Sequence, residues 1–112
     1  MNFQTFGEYI KHLREQKNYP LRKVAAALDI DPSTLSKIEK GDRVANKGMI
    51  SHLASFFDVE SEDLNLILIS DKVALELVNE VNAEEIIKAA TEKIKYLKAK
   101  NVEQGTLNFI HD

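Results

Sequence analysis

Between Leu21 and Gly41 the sequence holds two short apolar faces with only a few residues between them. Leu21, Val24, Ala25 and Leu28 share one face of a helix over Leu21–Leu28, and Pro20 supports a start there. Asp31 as N-cap and Pro32 at the first helical position open a second helix, Pro32–Lys40, which buries Leu35 and Ile38. It stops at Gly41, which can adopt the left-handed conformation that helix ends favour. Two short helices joined this tightly must cross at a fixed angle. Val24, Ala25, Leu28, Ile30, Leu35 and Ile38 are the apolar pegs that hold it. Ala25 has to be small at the crossing, because a bulky side chain there would overpack the contact.

Helical spacing continues on both sides. Phe6, Ile10 and Leu13 recur at i, i+4 and i+7, and Thr5 with Glu8 makes a capping box ahead of them. A fourth helix is expected over Lys47–Phe57, with Ile50, Leu53, Ala54 and Phe57 on one face and Asn46 as its cap. Ser61 followed by Glu62 and Asp63 suits the start of a fifth, because acids in a first turn oppose the helix dipole. The run Leu64–Ile69 fits a strand by alternation and a helix by Leu64, Ile67 and Leu68; with no partner strand nearby, helix is preferred. Lys72–Val81 continues helically through Val73, Leu77 and Val81. Asn82 and Glu85 then form a second capping-box pair, opening a helix to about Lys100.

The chain has 112 residues, 44% of them hydrophobic and 29% charged, which fits one compact domain, or one small domain plus an oligomerisation extension. It lacks cysteine, which excludes disulfides, thiolate metal sites and cysteine nucleophiles. No apolar run is long enough for a membrane span and no signal-peptide pattern opens the chain, so a cytoplasmic protein is expected. The net charge of −3 argues at first against a nucleic-acid partner. Its distribution reverses that argument. Residues 10–47 carry nine basic residues against five acids, whereas residues 61–112 carry six lysines against ten acids.

The spacing of Leu21–Leu28 and Pro32–Lys40 is that of a helix-turn-helix. The run LRKVAAALDIDPSTLSKIEKGDR resembles the helix-turn-helix of the Cro/phage-repressor (Xre) family of DNA-binding regulators. The likeness extends through Leu53, Ala54, Phe57, Val59, Ser61 and Leu64, over about residues 5–68. It implies a five-helix, lambda-repressor-like domain, assigned to residues 1–69; with the helical spacing that follows, the fold expected is all-α, residues 70–112 forming a helical extension for dimerisation. It also implies that bases are read from the first turn of the third helix and one turn later, at Ser33, Thr34 and Lys37. Hydroxyls accept or donate at base edges, and lysine donates to guanine O6 and N7. Phosphate contacts need cations and polar groups around that helix, which makes Arg22, Ser36, Lys40, Arg43, Asn46 and Lys47 the candidates. Related repressors pair an arginine of the first helix with a glutamate of the third; Arg14 and Glu39 stand at those positions, as a structural ion pair. The sequence departs from the family at Leu21, where many members carry a phosphate-contacting glutamine, and at Asp29, where the turn often has glycine.

In the last helix Ala83, Ile87, Ala90, Ile94 and Leu97 recur with alternating spacings of four and three, an a/d seam with Asn101 at its next position. Such a seam either pairs with a second copy or packs on the chain's own fifth helix. The first option is preferred, with Val73, Leu77, Ile87, Ala90, Ile94 and Leu97 as the interface, because one helix-turn-helix domain reads too few bases alone. The tail after Gly105 holds Leu107, Phe109 and Ile110. No catalytic residue, cofactor or metal site is expected: His12, His52 and His111 fall in no ligand or triad-like spacing. The expected partners are double-stranded DNA and a second copy, which makes a homodimeric transcriptional repressor the first reading. An antitoxin or adaptor that binds a partner protein through its C-terminal half is the alternative.

Overall fold

The computed structural model describes residues 5–103; the expectations for the tail, including Leu107, Phe109, Ile110 and His111, lie outside them. The described residues form six helices: α1 Phe6–Gln16, α2 Leu21–Leu28, α3 Pro32–Lys40, α4 Met49–Phe57, α5 Ser61–Leu77 and α6 Ala83–Glu103. The Leu64–Ile69 run lies within α5. The chain divides into two compact units, one within residues 1–75 and the other within residues 76–112.

The first unit is built around Phe6, Ile10, Val24, Ala25, Leu35, Ile38, Leu53, Phe57, Leu64 and Leu68, all buried. Full burial of a valine, leucine, isoleucine or phenylalanine side chain contributes about 1.5–3 kcal/mol. Leu28 and Ile30, two of the six pegs, are partly buried against this core and the other four are inside it.

Four helices end by one device. Asn18, Asp29, Gly41 and Asp58 take left-handed backbone, with φ of 57°, 55°, 84° and 55°. A six-to-one hydrogen bond accompanies each: Tyr19 to the Arg14 carbonyl, Ile30 to Ala25, Asp42 to Lys37 and Val59 to Ala54. This is the Schellman closure, which satisfies carbonyls the last turn leaves open. In three of the four, the residue after the left-handed one is apolar, and Tyr19, Ile30 and Val59 all fold back onto the core. Aspartate and asparagine tolerate the left-handed region better than most residues, so glycine is needed at none of those three ends.

Two local expectations are corrected, and a third holds in position only. Asn46 does not cap α4: the Met49 amide bonds to the Asn46 carbonyl across a turn, and α4 begins at Met49 with Gly48 before it. The Thr5–Glu8 capping box forms at α1, and Asp31 occupies the N-cap position of α3 with extended backbone, followed by Pro32 at the helix start, but its side chain makes no capping bond. The helix expected to run through Val81 ends at Leu77, followed by turns at 78–79 and 81–82.

Candidate nucleic-acid interface

The α2–α3 pair is held from below by α1. Gly7 lies where α1 meets the end of α3, so closely that a Cβ there would overlap the Ile38 carbonyl oxygen and stand 2.8 Å from that of Glu39. The absence of a side chain lets the two backbones touch. Two helical turns further on, Arg14 reaches the same end of α3. Its Nε donates to Glu39 Oε2 at 2.7 Å, its Nη2 to Oε1 at 2.9 Å, and its Nη1 to the Tyr19 carbonyl at 2.9 Å. The two side chains are only 12% and 5% exposed. The hydrogen bond to Glu39 raises the Arg14 pKa above the ordinary guanidinium value and outweighs the opposing effect of burial. α3 is therefore anchored at its C-terminal end by a backbone contact and a bidentate ion pair.

With Leu35, Ile38 and Glu39 turned inward, the remaining face of α3 points away from the core. Ser33 and Lys37 are exposed on it and Thr34 is half-buried. These three are the candidates expected to meet base edges, and they fall on the first turn of α3 and one turn later. Ser36 is half-buried and Lys40 exposed; together they border a polar cleft with Lys11 and Arg14 from α1. Lys11 is a further exposed cation here that the phosphate candidates omit; it directly follows the buried Ile10, and a step of one residue turns it about 100° away from that core face.

The turn after α3 carries Arg43. Both the Asp42 and Arg43 amides bond to the Lys37 carbonyl, at 2.9 and 3.3 Å, while Ala45 is buried and pins the loop from beyond. Arg43, Asn46 and Lys47 are exposed along this loop, and Arg22 is exposed in the first turn of α2. Leu21 is half-buried against the core, so the position that carries a phosphate-contacting glutamine elsewhere here anchors α2. Asp29 is exposed at the left-handed end of α2, where its role is to turn the chain. Lys23 is directed back over the Tyr19 ring, 4.1 Å from its centre, a cation–π contact that ties it to its own side of the domain.

Among the described residues no group of histidine, cysteine or carboxylate side chains is placed to hold a metal ion, and no helix is long and apolar enough to cross a membrane. His52 is exposed on α4, with Nδ1 3.4 Å from the Gly48 carbonyl.

A helix-turn-helix family model matches residues 10–64, the stretch from the middle of α1 to the start of α5. The chain is 30% identical over 64 residues to YazB of Bacillus subtilis (strain 168), described as an uncharacterized HTH-type transcriptional regulator; the match spans 57% of this chain and 93% of that protein. No solved structure matches the chain. The matched region contains the exposed face of α3 and both partners of the Arg14–Glu39 pair. The chain belongs to the Xre-type helix-turn-helix family of DNA-binding transcriptional regulators.

Proposed function

We propose that the chain is a sequence-specific repressor that binds DNA as a homodimer, with residues 1–69 reading the operator and residues 70–112 supplying the extension that pairs the copies. The observation that carries this reading is the face of α3: Ser33, Thr34 and Lys37 turn outward while its opposite face is locked onto α1. In this reading α3 lies in the major groove with those three at base edges. Arg22, Ser36, Lys40, Arg43, Asn46 and Lys47 hold the flanking phosphates. The dimer reading rests on Val73, Ile87, Ala90, Ile94 and Leu97, which are exposed, and on Leu77, which is half-buried.

The test is a gel-shift on DNA from upstream of the coding region, over a salt series, with wild type and Lys37→Ala. Binding that weakens with salt and loses sequence preference in the variant supports the reading. No shift at low salt, or a shift indifferent to both salt and Lys37, overturns it. A partner-dependent antitoxin or adaptor is the reading favoured instead if the protein is monomeric alone and shifts DNA only with a second chain.

A further inference from the structure

We propose that α6 pairs with α6 of a second copy in antiparallel orientation, Ile87 of one chain against Leu97 of the other and Ala90 against Ile94. This rests on the homodimer reading above and goes beyond it by fixing direction and register.

Two independent features of α6 carry the assignment. The first is the size pattern of its seam. Ile87, Ile94 and Leu97 are 49%, 51% and 53% exposed, and Ala90 is exposed between them. Paired in parallel, equivalent positions meet, so Ala90 faces Ala90 and a layer of methyl groups separates two isoleucine layers. Paired antiparallel in the stated register, Ile94 faces Ala90 and Ile87 faces Leu97. Large side chains then fill the space that small ones leave, as well-packed seams require.

The second feature is charge. The first turn of α6 carries Glu84 and Glu85, and its later turns carry Lys93, Lys95, Lys98 and Lys100. On the seam's flanks Glu84, Thr91 and Lys98 line one side, and Ile86, Lys93 and Lys100 the other. A parallel pair sets Lys93 against Lys98 of the second copy twice, with no opposite charge to compensate. An antiparallel pair sets Glu84 against Lys98 twice, leaving a single Lys93–Lys93 contact at the two-fold axis. It also lays the aliphatic stem of Lys100 along Ile86 and opposes the two helix dipoles.

The direction has a consequence for DNA. Antiparallel pairing places the two α6 N-termini, through which the DNA-reading units are joined, about 27 Å apart along the helix axes, from 1.5 Å of rise per residue. Half-sites one helical turn apart lie about 34–36 Å from each other, a span of the same order as the distance between these two attachment points. Parallel pairing places them about one interhelical distance apart, 8–10 Å.

The absence of native cysteine allows a clean test on the full chain. Ile87→Cys and Leu97→Cys are made separately, one with a mass tag, and their disulfide formation is compared alone and after mixing. The expected result is a mixed cross-link, with little linkage of either variant to itself. Self-linkage of Ile87→Cys and of Leu97→Cys without the mixed product overturns the antiparallel assignment, and so does a dimer that forms no α6 cross-link. Sedimentation of the wild type separates the two levels: a monomer removes the homodimer reading itself, whereas a dimer with the parallel cross-links leaves that reading standing. As a second arm, Glu84→Lys weakens self-association several-fold at low salt, and adding Lys98→Glu restores it. Failure of the double variant to recover weighs against the register.

Discussion

Arg14 and Glu39 meet fork to fork, and the third nitrogen of the same guanidinium holds the Tyr19 carbonyl, so one side chain joins α1, the end of α3 and the turn before α2. Removing Glu39 would leave that guanidinium buried and uncompensated, and Glu39→Ala is expected to cost about 3–5 kcal/mol. Arg14→Met with Glu39→Leu leaves no charge behind and should cost far less than the single change, its residual cost coming from the unbonded Tyr19 carbonyl. Urea unfolding of the two singles and the double measures this directly; additive losses would contradict it. The raised Arg14 pKa adds a sign. Its stabilising effect is complete below the ordinary guanidinium range and is lost only as pH rises past the raised value. Protonation of Arg14 therefore adds no slope to stability between neutral and mildly alkaline pH.

Two glycines are expected to fail for different reasons. Gly7→Ala drives a methyl into the α3 backbone carbonyls, which cannot rotate away, so a cost at or above the usual 1–3 kcal/mol of overpacking is predicted. Gly41→Ala meets nothing within 4 Å, and its cost is the left-handed backbone alone, about 1–2 kcal/mol. Thermal unfolding should rank Gly7→Ala below Gly41→Ala. Gly41→Asn should recover part of the loss, since asparagine already serves at Asn18; Gly7→Asn should recover none.

Lys37 and Arg43 separate reading from holding. Lys37→Ala is expected to remove about 1–3 kcal/mol of discrimination at one base position and to leave binding to unrelated DNA nearly unchanged. Arg43→Ala should weaken specific and non-specific binding alike and lower the salt slope by about one. Titrations on operator and scrambled duplexes at several salt concentrations tell them apart. Equal loss on both duplexes for Lys37→Ala would move it to the phosphate group. With a net charge of −3 on the whole chain, non-specific affinity should remain weak throughout.

What the sequence made legible follows from range. Helix faces and the Thr5–Glu8 box depend on residues three to seven apart, and α1, α2 and α3 could be read from such spacings. Gly41 is legible as a left-handed end because it closes an apolar face, and Asp29 only because the resemblance sets it where the turn often has glycine; Asn18 and Asp58 do the same work but look like ordinary polar residues. Asn46 misled because a good capping residue lay two turn residues too early. Gly7 reads locally as a weakness in a helix, since the α3 carbonyls that require it are some thirty residues away. The outward face of α3 was legible as the complement of Leu35 and Ile38. The Arg14–Glu39 pair was legible through family resemblance alone, because nothing local links residues 25 apart.

Asp71 shows the same limit at its longest range, and it carries the last prediction. Its Oδ2 accepts a hydrogen bond from the Phe6 amide at 2.8 Å, from α5 across to the first turn of α1. That amide is one of the donors a helix start leaves without an intrahelical partner, and Thr5 and Glu8 satisfy others beside it. A carboxylate there also faces the positive end of the α1 dipole. Asp71→Ala should therefore cost about 1.5–3 kcal/mol, the range for a hydrogen bond to a charged group. Asp71→Asn keeps an acceptor oxygen but loses the charge, and should retain about half the contribution. Because the bond ties residue 71 to residue 6, the loss should appear as faster amide exchange in the first turn of α1, with α2 and α4 protected as before. If Asp71→Ala leaves both stability and exchange at Phe6 unchanged, water serves that amide equally well and the bond from α5 adds nothing to the start of α1.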